Sequence, residues 1–379
     1  MLYLCAQNQN ITTMLTKFAV KNFRGFAERI EWDLSHPSNY TFNTYAIKDG
    51  IIKNGIIYGP NGSGKSNFGM ALFDILFHLT QKYRDDKYFQ NYTYGGSSKL
   101  YVIFEYTFLL GNQQIEYQYK KNSNGVLVEE SLKVNGVKTF DRKQNFFELD
   151  EKQFPINPNA KRDLEINENN ISIINYLLTS YPLAKDHYLI KLRSFVESML
   201  WFRCLGNNEF MGLENSPTLL DEYIIKNNLI TDFSDFLLKV SGQTFNFDLE
   251  KSKDKQLFWK VGDGSLNFDN TISTGTRSLH LLYYWLKNIG NASFVFIDEF
   301  DAFYHFKLAF EVCKRLFNLN CQVFTSSHNT YLMTNDLLRP DCNFILQNNR
   351  IKPLQACTDK ELRFGHNMEK LFRGGAFEV

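Results

Sequence analysis

Residues 59–66 read Gly59-Pro60-Asn61-Gly62-Ser63-Gly64-Lys65-Ser66, which fills every fixed position of the phosphate-loop pattern G-x-x-x-x-G-K-[ST]. The flanks supply the context this pattern needs. Apolar Gly55-Ile56-Ile57-Tyr58 predicts a strand before it, and Asn67-Phe68-Gly69-Met70-Ala71-Leu72-Phe73-Asp74-Ile75-Leu76 predicts a helix after it, running to about Gln81. Gly59, Gly62 and Gly64 admit backbone angles that side chains resist. Successive amide N–H groups can then turn inward as an anion nest, at a helix N-terminus whose dipole favours negative charge. Gly59, Asn61, Gly62, Ser63, Gly64, Lys65, Ser66 and Asn67 are therefore the candidate nucleotide-binding residues. Lys65 would reach the outer phosphates and Ser66 would offer its hydroxyl to Mg²⁺, so ATP and Mg²⁺ are the expected cofactors.

Working outward, 379 residues are enough for one large domain or two small ones, and for a sizeable core. Thirty-five Phe predict an aromatic-rich core. A formal charge of +1 argues against a global basic field for nucleic acid, although it leaves room for a local patch. None of the six cysteines (Cys5, Cys204, Cys313, Cys321, Cys342, Cys357) forms a C-x-x-C pair, which argues against zinc and for reduced thiols in the cytoplasm. No apolar run approaches the roughly 20 residues of a membrane span. Met1-Leu2-Tyr3-Leu4-Cys5-Ala6 is too short and lacks the basic flank of a signal peptide. Met14 is an alternative start to Met1, since the first clear strand begins just after it.

Strands are expected at Leu15–Val20 and Ile30–Leu34. Residues 99–149 then read as an antiparallel meander, with turns at Gly111-Asn112, Asn122-Ser123-Asn124-Gly125 and Asn135-Gly136. Helical periodicity at Ile171–Leu178, Asp186–Phe202 and Leu219–Leu238 predicts a helical lobe over 160–240. Phe245–Leu249 and Leu257–Val261 look like strands. Beyond them, a helix at Thr276–Ile289 and another at Lys307–Phe317 alternate with strands at Phe294–Ile297, Gln322–Thr325 and Asn343–Leu346. That alternation implies a parallel sheet flanked by helices, so the fold class is α/β.

Three further stretches carry chemistry. Ser293-Phe294-Val295-Phe296-Ile297-Asp298-Glu299 is a buried-type strand with an acidic pair at its carboxyl end, where open α/β sheets bind ligands. Asp298 would hold Mg²⁺, and Glu299 would orient and deprotonate the attacking water. Val323-Phe324-Thr325-Ser326-Ser327-His328-Asn329 ends the next strand with hydroxyls and a histidine that could sense the γ-phosphate. A lone histidine is more often a surface or packing residue, and its place at a strand end is what favours the functional reading. Ile272-Ser273-Thr274-Gly275-Thr276-Arg277 opens an apolar helix whose first-turn amides and Ser273 hydroxyl could bind phosphate. Taken alone, that stretch is an ordinary N-cap.

The order of these features (phosphate loop, long insert, small-residue signature, Asp-Glu strand, His strand) resembles the ABC-type ATPases of the SMC, RecF and OLD-like branch. Val20-Lys21-Asn22-Phe23-Arg24-Gly25-Phe26 resembles that branch's opening strand, and Gly59–Asn67 its Walker A. Ser273-Thr274-Gly275-Thr276-Arg277 looks like a degenerate signature, and Ser327-His328 like the His switch. Asp298-Glu299-Phe300-Asp301-Ala302-Phe303-Tyr304-His305 and the ending Arg363–Phe377 are similar to stand-alone bacterial ATPases of anti-phage defence loci. SMC proteins usually carry Leu-Asp where this chain has Tyr304-His305, whereas OLD-like and defence ATPases usually carry Leu-His.

The resemblance implies a P-loop NTPase with an ABC-ATPase-like head, an antiparallel β subdomain and an inserted helical lobe. The expected divisions are 1–150, 151–245 and 246–379. It also implies a homodimer or higher homo-oligomer closed by ATP, with Ser273 and Gly275 of one copy contacting the γ-phosphate held by the other. Glu299 and Lys65 would serve hydrolysis, and His328 would report it. A sensor or regulatory role over a co-encoded toxin or nuclease is implied by the resemblance alone. The signature departs from Leu-Ser-Gly-Gly-Gln, no long coiled-coil arm is present, and no residue stands out for the glutamine-loop role. The alternative is a RecF- or SMC-like repair ATPase that binds DNA through Arg24, Lys17 and Lys21, residues that better suit a solvated strand edge. A scaffold that binds ATP without turnover, or a hexameric AAA+ motor, fits the intact Glu299 and the motif order less well.

Overall fold

The computed structural model describes residues 12–80, 86–143, 146–166, 170–203, 210–212, 219–252 and 255–378. Met1–Ala6, Cys5, Cys204 and the expected helix end at Gln81 lie outside the described residues.

Two patterns of burial produce two seven-stranded sheets among the described residues. Along Val102–Leu110 buried and half-buried positions alternate strictly, as an antiparallel strand with one covered face requires. This strand belongs to an antiparallel sheet with strand order Phe146–Leu149, Val137–Lys143, Leu127–Val134, Gln113–Lys121, Val102–Leu110, Thr13–Lys21, Ile30–Asp33. The expected meander is thus extended by the two N-terminal strands. Asn54–Tyr58, Phe294–Asp298 and Gln322–Ser327 are instead buried at every position, the signature of strands covered on both faces. They form the centre of the second sheet, with order Phe210–Gly212, Leu200–Arg203, Phe294–Asp298, Gln322–Ser327, Asn54–Tyr58, Asn343–Gln347, Arg350–Pro353. The five strands from Leu200–Arg203 to Asn343–Gln347 are parallel, and only the two edges are antiparallel.

Aromatic packing joins the sheets. The Trp32 ring lies 4.5 Å from Phe324, 5.5 Å from Phe344 and 5.6 Å from Phe68, centroid to centroid. Gln322 is a polar clamp within this apolar seam. Its Oε1 accepts from Leu15 N (2.7 Å), and its Nε2 donates to Leu15 O (2.9 Å) and Ile52 O (3.2 Å), so no amide atom is buried unpaired.

The helical reading of Asp186–Phe202 needs correction. The helix covers Tyr188–Glu197, and Leu200–Arg203 is a strand running parallel to Phe294–Asp298. A short run such as Leu-Trp-Phe-Arg has no decisive period, and tertiary pairing settles it. Leu219–Leu238 divides into helices Leu220–Lys226 and Ile230–Ser241, where Asn228 takes the left-handed conformation (φ 56°) that breaks a helix and that Asn tolerates. Phe245–Leu249 makes only an isolated bridge, Phe247 to Trp259, and no strand. No helix among the described residues is long and apolar enough to cross a membrane.

Candidate functional site

Parallel register brings the chemistry together. Tyr58 lies opposite both Ser327 and Ile345, Phe296 opposite Phe324, and Arg203 opposite Asp298. The carboxyl ends of five adjacent strands therefore meet at one edge of the sheet.

The loop after Tyr58 is held in its tight path by backbone that only glycine allows. Gly64 has φ 99°, and a Cβ there would stand 2.8 Å from the Phe26 ring. A Cβ at Gly59 would stand 2.5 Å from Leu346 O. The helix Lys65–Leu72 starts at once. Lys65 Nζ donates to the carbonyls of Gly59 (2.8 Å) and Pro60 (3.2 Å), so the loop's own oxygens hold the ammonium over the nest. Burial lowers the Lys65 pKa, while Asp298, Glu299 and Asp301 pull it the other way. Asn67 accepts from Arg24 (3.3 Å).

Asp298 is fully buried at the end of its strand. Its Oδ1 accepts from Ser326 Oγ (2.6 Å), and the Ser66 side chain lies close enough to favour the charged carboxylate. Oδ2 is buried without a hydrogen-bond partner and lies 3.7 Å from Arg203 Nε. Burial pushes the Asp298 pKa up, against the lowering effect of Ser326 and Ser66. Glu299 occupies the left-handed region (φ 51°), a costly place for a non-glycine residue. Its N–H donates to Ser326 Oγ (2.8 Å), so one hydroxyl fixes both acidic residues. His328 has Nδ1 3.3 Å from Lys65 Nζ and Nε2 3.8 Å from Glu299 Oε1. Ser327 Oγ donates to Asp301 Oδ2 (2.8 Å), which stiffens the turn after the acidic pair.

The structure thus brings Lys65, Ser66, Asp298, Glu299 and His328 together. No hydrogen bond or ion pair links Ser273 or Gly275 to them among the described residues. Ser273 caps its own helix, Thr274–Asn288, accepting from Thr276 N (3.2 Å), and a Cβ at Gly275 would meet Phe303 O at 3.0 Å.

Two residues carry more than the sequence suggested. Arg203 sits 3.4 Å from Glu299 Oε2 as well as beside Asp298. The available signal was an apolar run ending in a charged residue, the same grammar as Phe294–Asp298. Ser326 ties the two acidic residues together, although the sequence singled it out only as one of several small hydroxyls. The basic residues of the DNA reading are otherwise engaged. Lys17 pairs with Glu31 (3.2 Å) and Asp33 (3.0 Å), and Lys21 with Glu28 (3.8 Å). Arg24 turns inward, donating to Asn67 and to Tyr88 O (3.1 Å).

Residues 56–334 match the model of the family described as "AAA domain, putative AbiEii toxin, Type IV TA system". The chain belongs to this family. No curated protein matches it. Among solved structures, the chain is similar to the SMC head bound to the C-terminal winged-helix domain of ScpA (16% identity, 90% of this chain and 97% of that one, TM-score 0.46). It is also similar to the SMC head domain from Thermotoga maritima (16%, 90% and 98%, TM-score 0.42). A third likeness is to the Smc head with a coiled coil and joint from Pyrococcus yayanosii (11%, 96% and 100%, TM-score 0.46). In this family member the phosphate-loop strand and the Asp-Glu strand are separated by the His strand, in an α/β P-loop NTPase head of ABC-like type with an antiparallel sheet beside it.

Proposed function

We propose that this chain is an ATP-hydrolysing, ABC-type switch. Two copies would close around Mg-ATP and reopen on hydrolysis, and the switch would act as the sensor or regulatory subunit of a bacterial anti-phage (abortive-infection) system controlling a separate toxin or nuclease. The observation that carries the catalytic half is the convergence of Lys65, Ser66 and Asp298, with Asp298 Oδ2 buried and lacking a hydrogen-bond donor. A hard divalent cation takes oxygen ligands, and the Ser66 hydroxyl with the open Asp298 oxygen fits one. When bound, Mg²⁺ would supply positive charge that offsets the phosphate oxygens.

The protein's own groups do the rest. Lys65 exchanges the carbonyls of Gly59 and Pro60 for phosphate oxygens. Glu299 orients the attacking water and takes its proton. Arg203 competes with that water for the Glu299 carboxylate, so it must yield when the site closes. His328, within reach of both Lys65 and Glu299, senses whether the outer phosphate is present. Ser273 is exposed and caps the helix Thr274–Asn288, so that helix start would be open to completion of the site by a second copy. Such a pair is isologous, and nucleotide between the heads would hold it closed.

The defence role draws on the family's own description, which names a toxin, and on the Tyr304-His305 stretch, which resembles defence ATPases. The antiparallel sheet and the helices between 158 and 241 would present the partner surface.

The test is ATP turnover together with mass by light scattering, for wild type and Glu299→Gln, with and without Mg-ATP. We expect turnover to drop by roughly 10²- to 10⁴-fold in the variant, the scale of a lost general base, with ATP-dependent dimerisation retained. Absence of turnover in wild type, with a mass indifferent to ATP, would sink the switch. Salt-resistant co-purification of a second protein supports the regulatory half, whereas duplex binding that collapses with salt would favour a repair ATPase.

A further inference from the structure

The catalytic strands have a second end. Opposite the phosphate loop, a cavity of about 490 Å³ opens where those strands begin. Lys53 directly precedes the strand Asn54–Tyr58, Ser293 directly precedes Phe294–Asp298, and Gln322 opens Gln322–Ser327. The start of Thr13–Lys21 and one face of the helix Tyr188–Glu197 complete the wall.

Lys48, Lys53, Lys185 and Lys191 line this cavity, and no Asp or Glu does. Another lysine-rich cavity in the molecule shows how unusual that is. There Lys120, Lys133, Lys138 and Lys143 share the walls with Glu129, Glu130 and Asp141, and ion pairs form at 3.1 Å (Lys120–Glu129) and 3.1 Å (Lys143–Asp141). At the strand roots, by contrast, none of the four lysines makes an ion pair among the described residues. Lys53 Nζ donates to Phe317 O (3.2 Å) and Leu319 O (2.9 Å), and its pKa is lowered first by burial and also by Lys48. The nearest acidic neighbours in sequence are Asp49, which accepts from the Thr12 hydroxyl, and Asp186, which is exposed. A concavity lined by charge of one sign focuses the field and raises the local concentration of counter-ions. Its volume falls in the range of small-molecule sites.

We propose that this cavity is a second anion site, separate from the phosphate loop, which takes a phosphate-rich small molecule of about nucleotide size. Lys48, Lys185 and Lys191 bind the phosphates, and Lys53 supplies positive field from the floor.

The experiment uses the full chain carrying Lys65→Ala, so that the phosphate loop is disabled and the outcome does not depend on turnover. Inorganic triphosphate is titrated calorimetrically into this chain and into the same chain with Lys48→Gln, Lys185→Gln and Lys191→Gln added. One site per chain is expected, weakened about tenfold or more by the added substitutions, the scale of losing one charge-assisted hydrogen bond. The melting temperature should be unchanged, and the single variant Lys191→Gln should give a smaller loss in the same direction. Failure of triphosphate to bind, or binding indifferent to the added substitutions, overturns the proposal. So does lysine-dependent binding of a DNA duplex or of a polyglutamate peptide when triphosphate does not bind, since the cavity would then serve a macromolecule.

Discussion

Asp74 and Asp298 are both fully buried carboxylates, each surrounded by hydroxyls and a nearby cation, yet they differ in how completely they are satisfied. Asp74, beside the antiparallel sheet, accepts from Lys121 Nζ (2.6 Å) and Tyr119 OH (2.9 Å) on one oxygen, and from the phenols of Tyr88 (3.1 Å) and Tyr92 on the other. Glu130 nearby is equally saturated by Tyr117, Ser172, Arg142 and the Ile173 amide. Asp298, in the parallel sheet, leaves Oδ2 without a donor. A closed set of hydrogen bonds is a staple, whereas an open valence at a sheet edge is a place for a ligand. Buried charge alone does not separate structure from chemistry; what singles out Asp298 is an unmet hydrogen bond at the carboxyl end of a parallel strand, where the phosphate loop also begins.

The strongest way to break this comparison is to remove each carboxylate in turn. Asp74→Ala deletes the anion shared by Lys121 and three phenols. It should cost about 3–5 kcal/mol, the scale of a buried ion pair broken on one side, read as a lowered denaturation midpoint. Asp298→Asn should fold at least as well as wild type without nucleotide, yet lose the Mg-dependent stabilisation by ATP. Burial raises the Asp298 pKa, so its favourable contribution is present at low pH and is lost as pH rises through that raised value. The asparagine variant should lack this slope. If Asp74→Ala were harmless and Asp298→Asn crippling to the fold, the two roles would be reversed.

A second pair sharpens the point within the helical region. His280 Nε2 lies 3.5 Å from Asp221 Oδ1, and neither atom has a hydrogen-bond partner. Burial lowers the His280 pKa to about 4 and raises that of Asp221 to about 6. The signs oppose each other. Neutral His280 stabilises the fold above its unfolded value near 6.5, and that contribution is lost as pH falls toward about 4. Protonated Asp221 stabilises the fold below its unfolded value near 3.8, and that contribution is lost as pH rises through about 6. Between these limits the two slopes largely cancel in wild type. Asp221→Asn should expose the histidine slope, with stability falling by roughly 3 kcal/mol from pH 6.5 to 4 at 1.36 kcal/mol per pH unit. Urea denaturation across that range measures it, and a flat profile in the variant would mean the histidine keeps its proton equilibrium on folding.

What could be read in the sequence follows the same divide. The phosphate loop with its strand (Gly55–Ser66), Phe294–Glu299 and Val323–His328 each pack strand and chemistry into at most twelve contiguous residues, so local pattern sufficed. Arg203 was hidden because Leu200–Arg203 owes its strand state and its place beside Asp298 to pairing with residues almost a hundred positions away. Arg24 looked like a surface cation in sequence. Its inward turn depends on a left-handed backbone (φ 48°) and on partners at Asn67 and Tyr88 that no spacing rule anticipates. The Asp74 network is dispersed in the same way, over residues 74 to 121.

The smallest expected effect probes the hydroxyl that couples the two acidic residues. Ser326 Oγ receives the Glu299 N–H and donates to Asp298 Oδ1, joining the Asp-Glu strand to the His strand. Ser326→Ala removes both bonds and should cost about 1–2 kcal/mol in stability, because two buried polar groups lose a partner. Its kinetic signature differs from that of a P-loop substitution. Gly59–Ser66 and Lys65 are untouched, so KM for ATP should hold nearly steady. kcat should fall, because Glu299 loses the bond that steadies its left-handed backbone over the water it must orient. A rise in KM with kcat preserved would assign Ser326 to nucleotide binding. Loss of stability with both constants intact would place it with Asp74, among the staples.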